Sequence, residues 1–214
     1  SLLRNPASLT QQTNFYPKSS TLYREVLTRW SAQNSIASEK GLQLLHGQNL
    51  LTESDYRWLR NRITTFKAGR TDVPNRLSLF QAIPPHEGSD TLWQWGVRLA
   101  LQEGEFSLAK TYLNYLSQTA KEEEIWRFWQ GYLLELDGNL AGAKAIYETL
   151  ADNFSFYGFL AADKLGKPYN SLQKLTRETM AKNGGKPLAE DFYLALSLSR
   201  VGEDTFARRL WVTA

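Results

Sequence analysis

The sequence predicts an all-α fold, a right-handed α-superhelix (solenoid) built from stacked helical hairpins. Three observations support this prediction: apolar residues recur at helical spacing, a longer pattern repeats along the chain, and strand-like alternation is almost absent. Of the 214 residues, 42% are hydrophobic and 22% are charged, so the chain can bury a core and is not expected to be disordered.

Two segments show the helical spacing most clearly. Their apolar residues are Leu22, Val26, Leu27 and Trp30 in the first, and Leu92, Trp95, Leu99 and, further on, Phe106 in the second. Each set predicts a helix with one apolar face that packs against a neighbour. The proline-containing stretch 83–90 is a predicted loop, in which Ser89 or Asp90 is expected to cap the next helix.

Glycine, tryptophan and alanine recur with a longer period. Gly69, Gly104 and Gly138 are separated by 35 and 34 residues. Tryptophans precede these glycines: Trp58, Trp93, and the pair Trp126 and Trp129. Alanines follow five residues after a glycine, at Ala109, Ala143 and, after Gly202, Ala207. Aromatic residues close the pattern at Tyr147 and Trp211. This pattern is typical of tetratricopeptide-like helix-turn-helix repeats. We expect the glycines to adopt the left-handed conformation that ends a helix, and the alanines to permit close helix crossing.

The block from Trp126 to Tyr147, followed by Phe156-Tyr-Gly-Phe-Leu-Ala-Ala162 and Lys164-Leu-Gly166, resembles the soluble lytic murein transglycosylases. A weaker resemblance covers Leu50 to Gly69. In that family a superhelical U domain forms a ring, a linker domain follows, and a C-terminal lysozyme-like domain cleaves peptidoglycan. The resemblance implies that residues 1–166 form a U-type superhelical domain and residues 167–214 the beginning of a helical L-type linker domain. Gly166 and Pro168 support a boundary at that place. The catalytic domain is expected beyond Ala214.

The resemblance implies a non-catalytic scaffold of a periplasmic enzyme that cleaves the MurNAc-GlcNAc bond to give 1,6-anhydro-muropeptides. The implied partners are peptidoglycan strands, the enzyme's own catalytic domain and other cell-wall proteins. A free-standing tetratricopeptide-like adaptor for protein or peptide ligands is the alternative. The chain starts at Ser1 rather than Met, which suggests a processed or excised piece, so the missing signal peptide says nothing about compartment.

A catalytic acid is not expected in this chain. Glu53-Ser54 reproduces the Glu-Ser dipeptide of the family's acid, but Thr52 and the acids after it read as the cap and first turn of a helix. Glu122-Glu123-Glu124 likewise reads as the start of a helix. There is no Cys, and His46 and His86 are expected in loops, so no metal or cofactor site is predicted. The chain alone should be inactive.

One segment has an uneven charge distribution. It holds six basic residues against the single acid Asp72: Arg57, Arg60, Arg62, Lys67, Arg70 and Arg76. We predict Arg57, Arg60 and Arg62 as a binding site for the anionic glycan-peptide of peptidoglycan, with a solvated helix face as the alternative. Nucleic acid is not expected as a partner, because the net charge is only +3 and no recognised motif is present.

No apolar run reaches the length of a membrane span. The many aromatics are expected between stacked helices, or alternatively on a carbohydrate-binding platform.

Overall fold

A computed structural model describes residues 2–11 and 19–169 of this chain. Within these ranges the structure contains helices and no strand, which confirms the all-α prediction. The described residues form ten α-helices and two 3-10 segments, Pro6–Gln11 and Pro85–Glu87. The helices are α1 (Ser20–Gln33), α2 (Ser35–Gly47), α3 (Glu53–Ala68), α4 (Ser78–Gln81), α5 (Asp90–Gln102), α6 (Phe106–Tyr115), α7 (Gln118–Lys121), α8 (Glu124–Leu136), α9 (Leu140–Leu150) and α10 (Phe156–Leu165).

The chain divides into two compact units. The first runs from Ser1 to Ile146 and the second begins at Tyr147. The boundary near residue 166 that the sequence suggests stays a prediction. Nearly all of the predicted linker segment 167–214, including Ala207 and Trp211, lies outside the described residues. None of the described helices is both long enough and apolar enough to cross a membrane.

Local polar side chains fix where the helices begin. The Thr52 hydroxyl accepts from the Asp55 backbone N–H at 3.0 Å, and the Ser89 hydroxyl accepts from the Leu92 N–H at 3.2 Å. Each satisfies a donor that has no partner inside its own helix. The capping prediction for Thr52 is therefore confirmed, and of the two candidates before α5 the N-cap is Ser89.

The glycines predicted to end helices behave in two ways. Gly104 and Gly138 have φ angles of 75° and 81°, which confirms the left-handed prediction for both. The prediction is wrong for Gly69, whose φ is −74°. There the chain enters an irregular loop before α4, so no tight reversal into a second helix is required. Between α2 and α3 the left-handed position belongs to Asn49, with φ 55°.

The first unit holds two buried clusters. One lies among the first 3-10 segment and helices α1 to α3, and its most deeply buried members are Leu9, Tyr23, Leu27, Trp30, Leu42, Leu45, Leu59 and Ile63. The other lies among helices α4 to α8 and centres on Trp93, whose ring stacks on Tyr112 with centroids 5.5 Å apart. Trp126 is also fully buried in this cluster. For Trp93 and Trp126, the expectation that aromatics fill the spaces between helices is confirmed.

Two aromatics depart from the predicted packing. Trp58 is 39% exposed, so it is not the counterpart of Trp93 and Trp126. Phe106 is exposed as well, because it begins α6 beyond the Gly104 turn and does not continue the apolar face of α5. On α5 it is Trp93 that is fully buried, whereas Trp95 is only half-buried.

Ala143 offers a test of helix crossing, because it is buried on α9 while Ala141 on the same helix is exposed. Leucine at position 143 would overpack its surroundings and destabilise the fold by about 1–3 kcal/mol. We expect Ala143→Leu to lower the midpoint of denaturant unfolding and Ala141→Leu to leave it nearly unchanged. Equal midpoints for the two variants would contradict the packing role of Ala143.

Candidate functional site

The three arginines predicted to bind ligand all lie on α3, but their side chains make different contacts. Arg57 is the most local: its Nε lies 3.6 Å from Glu53 Oε1, one turn earlier on the same helix. The two side chains are 41% and 58% exposed. An exposed pair of this kind holds its partner weakly and leaves Arg57 accessible.

Arg60 connects α3 to the loop that precedes α5. Its Nη2 donates to Glu87 Oε2 at 2.8 Å, and both side chains are only about one-fifth exposed, at 19% and 20%. The neighbouring Asn61 donates from Nδ2 to the backbone oxygen of Glu87 at 2.7 Å. The hydrogen bond from Arg60, supported by its charge, lowers the pKa of Glu87. Arg60 and Asn61 together hold the 83–90 loop against α3, so Arg60 has a structural partner on the next hairpin.

The remaining basic residues of the segment are also engaged locally. Lys67 Nζ lies 2.9 Å from Glu39 Oε2 of α2, and Lys67 itself is buried. Arg70 pairs with Asp72, and Arg76 donates to the backbone oxygen of Ala68. The six basic residues therefore do not line up as one continuous surface. As a ligand site, Arg57, Arg60 and Arg62 stay a prediction.

Arg62 lines a groove. The groove has a volume of about 420 Å³ and lies between α3 and the beginning of α5. On the α5 side it is lined by Thr91. On the α3 side it is lined by Trp58, Asn61, Arg62, Thr65 and Phe66. Trp58, Arg62 and Phe66 follow one another at intervals of four residues, which places them on one helix face. This volume is typical of a site for a small ligand.

Along this face, cations and aromatic rings contact one another in alternation. Arg24 of α1 has its guanidinium carbon 4.4 Å from the Trp58 ring centroid. The guanidinium carbon of Arg62 lies 5.6 Å from the Trp58 centroid and 4.8 Å from that of Phe66. We call Arg24, Trp58, Arg62 and Phe66 the cation-ring row. Such contacts are attractive and restrict the guanidinium groups to a few orientations.

The two arginines of the cation-ring row differ in charge compensation. Arg24 Nη1 lies 2.9 Å from Asp55 Oδ1. The pKa of Asp55 is lowered, first by the hydrogen bond from Ser20 and also by Arg24. Arg62 donates from Nε to the Ser31 hydroxyl at 3.2 Å and has no carboxylate partner among residues 2–11 and 19–169. Among the described residues, Arg62 therefore brings to the groove lining a positive charge that no carboxylate pairs with.

Sequence reasoning missed Trp58 and Phe66 as surface residues. The repeat spacing placed Trp58 in the core, yet the buried face of α3 is set by Leu59 and Ile63. A residue one position before Leu59 lies about 100° around the helix, away from that face. Trp58, Arg62 and Phe66 are spaced four residues apart. This spacing is the signal in the sequence that could have placed them together on an exposed face of α3.

Sequence comparison relates part of the chain to proteins named soluble lytic murein transglycosylase. No protein-family model matches it. It is 40% identical over 81 residues to the soluble lytic murein transglycosylase of Salmonella typhimurium, and 38% identical over 81 residues to the Escherichia coli K12 protein of the same name. Each match covers 38% of this chain and 13% of the relative.

Solved structures share the fold. The 70-kDa soluble lytic transglycosylase SLT70 of Escherichia coli superposes with a TM-score of 0.68 at 21% identity, over 98% of this chain and 34% of that one. An inactive mutant of the lytic transglycosylase Slt of Pseudomonas aeruginosa superposes with a TM-score of 0.60 at 29% identity, again over 98% and 34%. A third structure is a complex of the 70-kDa enzyme with bulgecin A, with a TM-score of 0.66, 21% identity, and coverage of 99% and 34%.

This chain resembles the soluble lytic murein transglycosylases. The resemblance predicted from the sequence is thereby confirmed, as is the α-superhelical fold. The chain spans about a third of the solved structures, and its sequence match spans a much smaller part of the curated relatives.

The acidic residues considered as catalytic or metal-binding candidates lie at helix ends and contact neighbouring side chains. The Glu53 side chain is 58% exposed beside Arg57, in the first turn after the Thr52 cap. Glu122 accepts from Gln118 Nε2 at 2.8 Å and lies 3.5 Å from Arg127 Nη1. Within the part of the chain that the structure describes, no group of three or more His, Asp or Glu is placed to hold a metal ion.

The histidines occupy two different settings. The loop prediction is wrong for His46, which lies in the last turn of α2 and stacks on Tyr56 with centroids 3.8 Å apart. The helix continues to Gly47 because Asn49 provides the turn. His86 lies in the short 3-10 segment of the 83–90 loop, and its side chain is highly exposed.

The Arg60–Glu87 pair predicts a dependence of stability on pH. Because the pKa of Glu87 is lowered from its ordinary value of 4.5, the pair stabilises the fold above that pH, and the contribution is lost as the pH falls through the lowered value. Denaturant unfolding measured from neutral pH to about pH 3 should therefore show a shallower loss of stability for Glu87→Gln than for wild type. Arg60→Gln should flatten the profile in the same way. Profiles parallel to wild type for both variants would mean that another group carries the acid sensitivity.

Proposed function

We propose that this chain is the non-catalytic superhelical scaffold of a periplasmic lytic transglycosylase that acts on peptidoglycan. The observation that carries the proposal is the likeness to solved lytic transglycosylases along 98% of the chain, joined to 38–40% identity over 81 residues with two curated soluble lytic murein transglycosylases. In this proposal the chemistry belongs to a separate domain of the same enzyme. That domain cleaves the MurNAc-GlcNAc bond to a 1,6-anhydro product, with one Glu acting first as acid and then as base.

The packing of the first unit supports a scaffold role. Its bulkiest side chains, including Trp93 and Trp126, are used to join helices, and the Arg60–Glu87 and Lys67–Glu39 pairs join separate elements. Helical repeats of this type are stabilised by contacts with their neighbours and offer an extended surface. Such a body is suited to holding a glycan strand or positioning a catalytic domain.

The surroundings of Glu53 support a non-catalytic role for the one Glu-Ser dipeptide of this chain. A glycosidase acid must carry a proton to the leaving oxygen, and enzymes favour the protonated form by apolar burial. Glu53 is instead exposed to solvent beside a guanidinium. This setting lacks the apolar burial that such an acid requires.

An activity assay tests this part of the proposal. The purified chain incubated with murein sacculi should release no 1,6-anhydro-muropeptides, and Glu53→Gln should be indistinguishable from wild type. Turnover that survives stringent purification and disappears in Glu53→Gln would overturn the assignment of Glu53 to the helix start.

A second candidate function is a tetratricopeptide-like adaptor for a protein ligand. The observation that favours it is a smaller groove of about 260 Å³, whose walls include the apolar side chains Leu113, Leu133 and Ile146. Determining the gene sequence beyond residue 214 separates the two functions. A lysozyme-like domain with a Glu-Ser acid supports the scaffold, whereas an immediate stop codon supports the adaptor.

A further inference from the structure

The groove between α3 and α5 combines a cation with an empty space beside it. Arg62 is the one ionised side chain among the described residues that line the groove, and its described contacts are the Ser31 hydroxyl and the rings of Trp58 and Phe66. Trp58 and Phe66 are 39% and 37% exposed and line the same groove, and exposed apolar side chains that lie together mark interaction sites more often than single ones do. Aromatic walls with one charged group among them are a common composition of ligand sites.

The orientation of Arg62 determines which ligand chemistry fits. Its Nε is engaged by Ser31, so its two terminal amino groups are left for a ligand in the groove that Arg62 lines. Two parallel N–H donors match the two oxygens of a carboxylate, and the match is bidentate and directional. The rings on either side restrict the guanidinium, so less side-chain entropy is lost when a ligand binds.

The other walls of the groove suit a compact polar ligand. Thr65 and Asn61 lie on the α3 side, and Ser89 and Thr91 lie on the α5 side. The Ser89 hydroxyl accepts the capping bond from Leu92, and the Thr65 hydroxyl donates to the Asn61 backbone oxygen, so each retains further hydrogen-bonding capacity. A volume of about 420 Å³ accommodates a small molecule or the end of a short peptide rather than a folded partner.

We propose that this groove binds a muropeptide, with Arg62 pairing with a free carboxylate of the peptide stem and Trp58 and Phe66 contacting its apolar part. The proposal rests on the proposed function for the choice of occupant, because the stems of peptidoglycan carry carboxylates. The carboxylate itself is indicated by the charge of Arg62. Arg57 and Arg60 are not required, because neither of them lines this groove.

The test is a calorimetric titration of the chain with a purified disaccharide-tetrapeptide muropeptide, which measures the dissociation constant. Wild type should bind, and Arg62→Gln should weaken binding roughly tenfold or more, as expected for loss of a charged hydrogen-bonded pair. Arg62→Lys should bind between the two, because it keeps the charge but loses the planar fork. Arg29→Gln is the matched control: Arg29 is an exposed arginine of α1 paired with Glu25, and its loss should leave binding unchanged.

Two further ligands identify what is recognised. The same muropeptide with methyl-esterified carboxylates should bind as weakly to wild type as the free acid does to Arg62→Gln. A sugar-free acidic peptide with the same number of carboxylates should bind more weakly than the muropeptide. If that peptide binds equally well, the muropeptide is overturned as occupant and an acidic protein segment takes its place.

Absence of muropeptide binding to wild type, or equal binding by wild type and Arg62→Gln, would overturn the groove proposal. Melting midpoints of all variants confirm folding, and Phe66→Leu provides a second perturbation that leaves every charge in place and should also weaken binding. Failure of the proposed function is recognised separately, from the gene sequence beyond residue 214. A missing catalytic domain refutes the scaffold assignment whatever the groove binds.

Discussion

A helical hairpin exposes an apolar face that it cannot cover by itself, and the first unit of this chain is organised by that constraint. The close approach of α5 and α6 is the central example. A Cβ atom at Gly96 would lie 2.9 Å from Tyr112 Cδ2 and 3.2 Å from Phe80 Cδ1, so glycine is what allows these rings to reach the α5 backbone. Trp93 then stacks on Tyr112 and also contacts Phe80 and Tyr115. One small residue thereby links α4, α5 and α6 into a single core.

Helix α3 shows how packing and function can share one element. Its inner face contributes Leu59 and Ile63 to the core with α1 and α2. Its side toward α5 carries Arg60 and Asn61, which hold the 83–90 loop. Because that loop leads directly into α5, the same contacts define the opposite wall of the groove that Arg62 faces. The groove is therefore built between elements fixed to each other by an ion pair and an amide hydrogen bond.

Much of the fold could be predicted from the sequence because its signals are local. Capping by Thr52 and the turns at Gly104 and Gly138 depend on residues close in sequence. The conformation of Gly69 could not be predicted from the repeat, since it depends on the irregular loop that follows. In the same way, the repeat pattern suggested a core position for Trp58, whereas the helical position of Leu59 decides which side is buried.

The candidate site was predictable only in its location. The excess of arginine on α3 indicated the helix that carries Arg62, but the surroundings of each arginine depend on partners distant in sequence. Arg60 is separated from Glu87 by 27 residues and Arg62 from Ser31 by 31, and neither pairing leaves a signal in the local pattern. Counting charges therefore grouped three side chains with different surroundings. Arg57 pairs with Glu53 on its own helix, Arg60 holds the 83–90 loop, and Arg62 lines the groove.

Hydrogen exchange of Gly96→Ala measured by mass spectrometry tests the central claim, that neighbouring helices are stable through their shared packing. Alanine favours an isolated helix over glycine by about 1 kcal/mol, so local propensity alone would slow exchange in α5. The close approach of Tyr112 and Phe80 predicts the opposite, with faster exchange in α5 and also in α6 and α4. Slower exchange confined to α5, with α4 and α6 unchanged, would contradict the account.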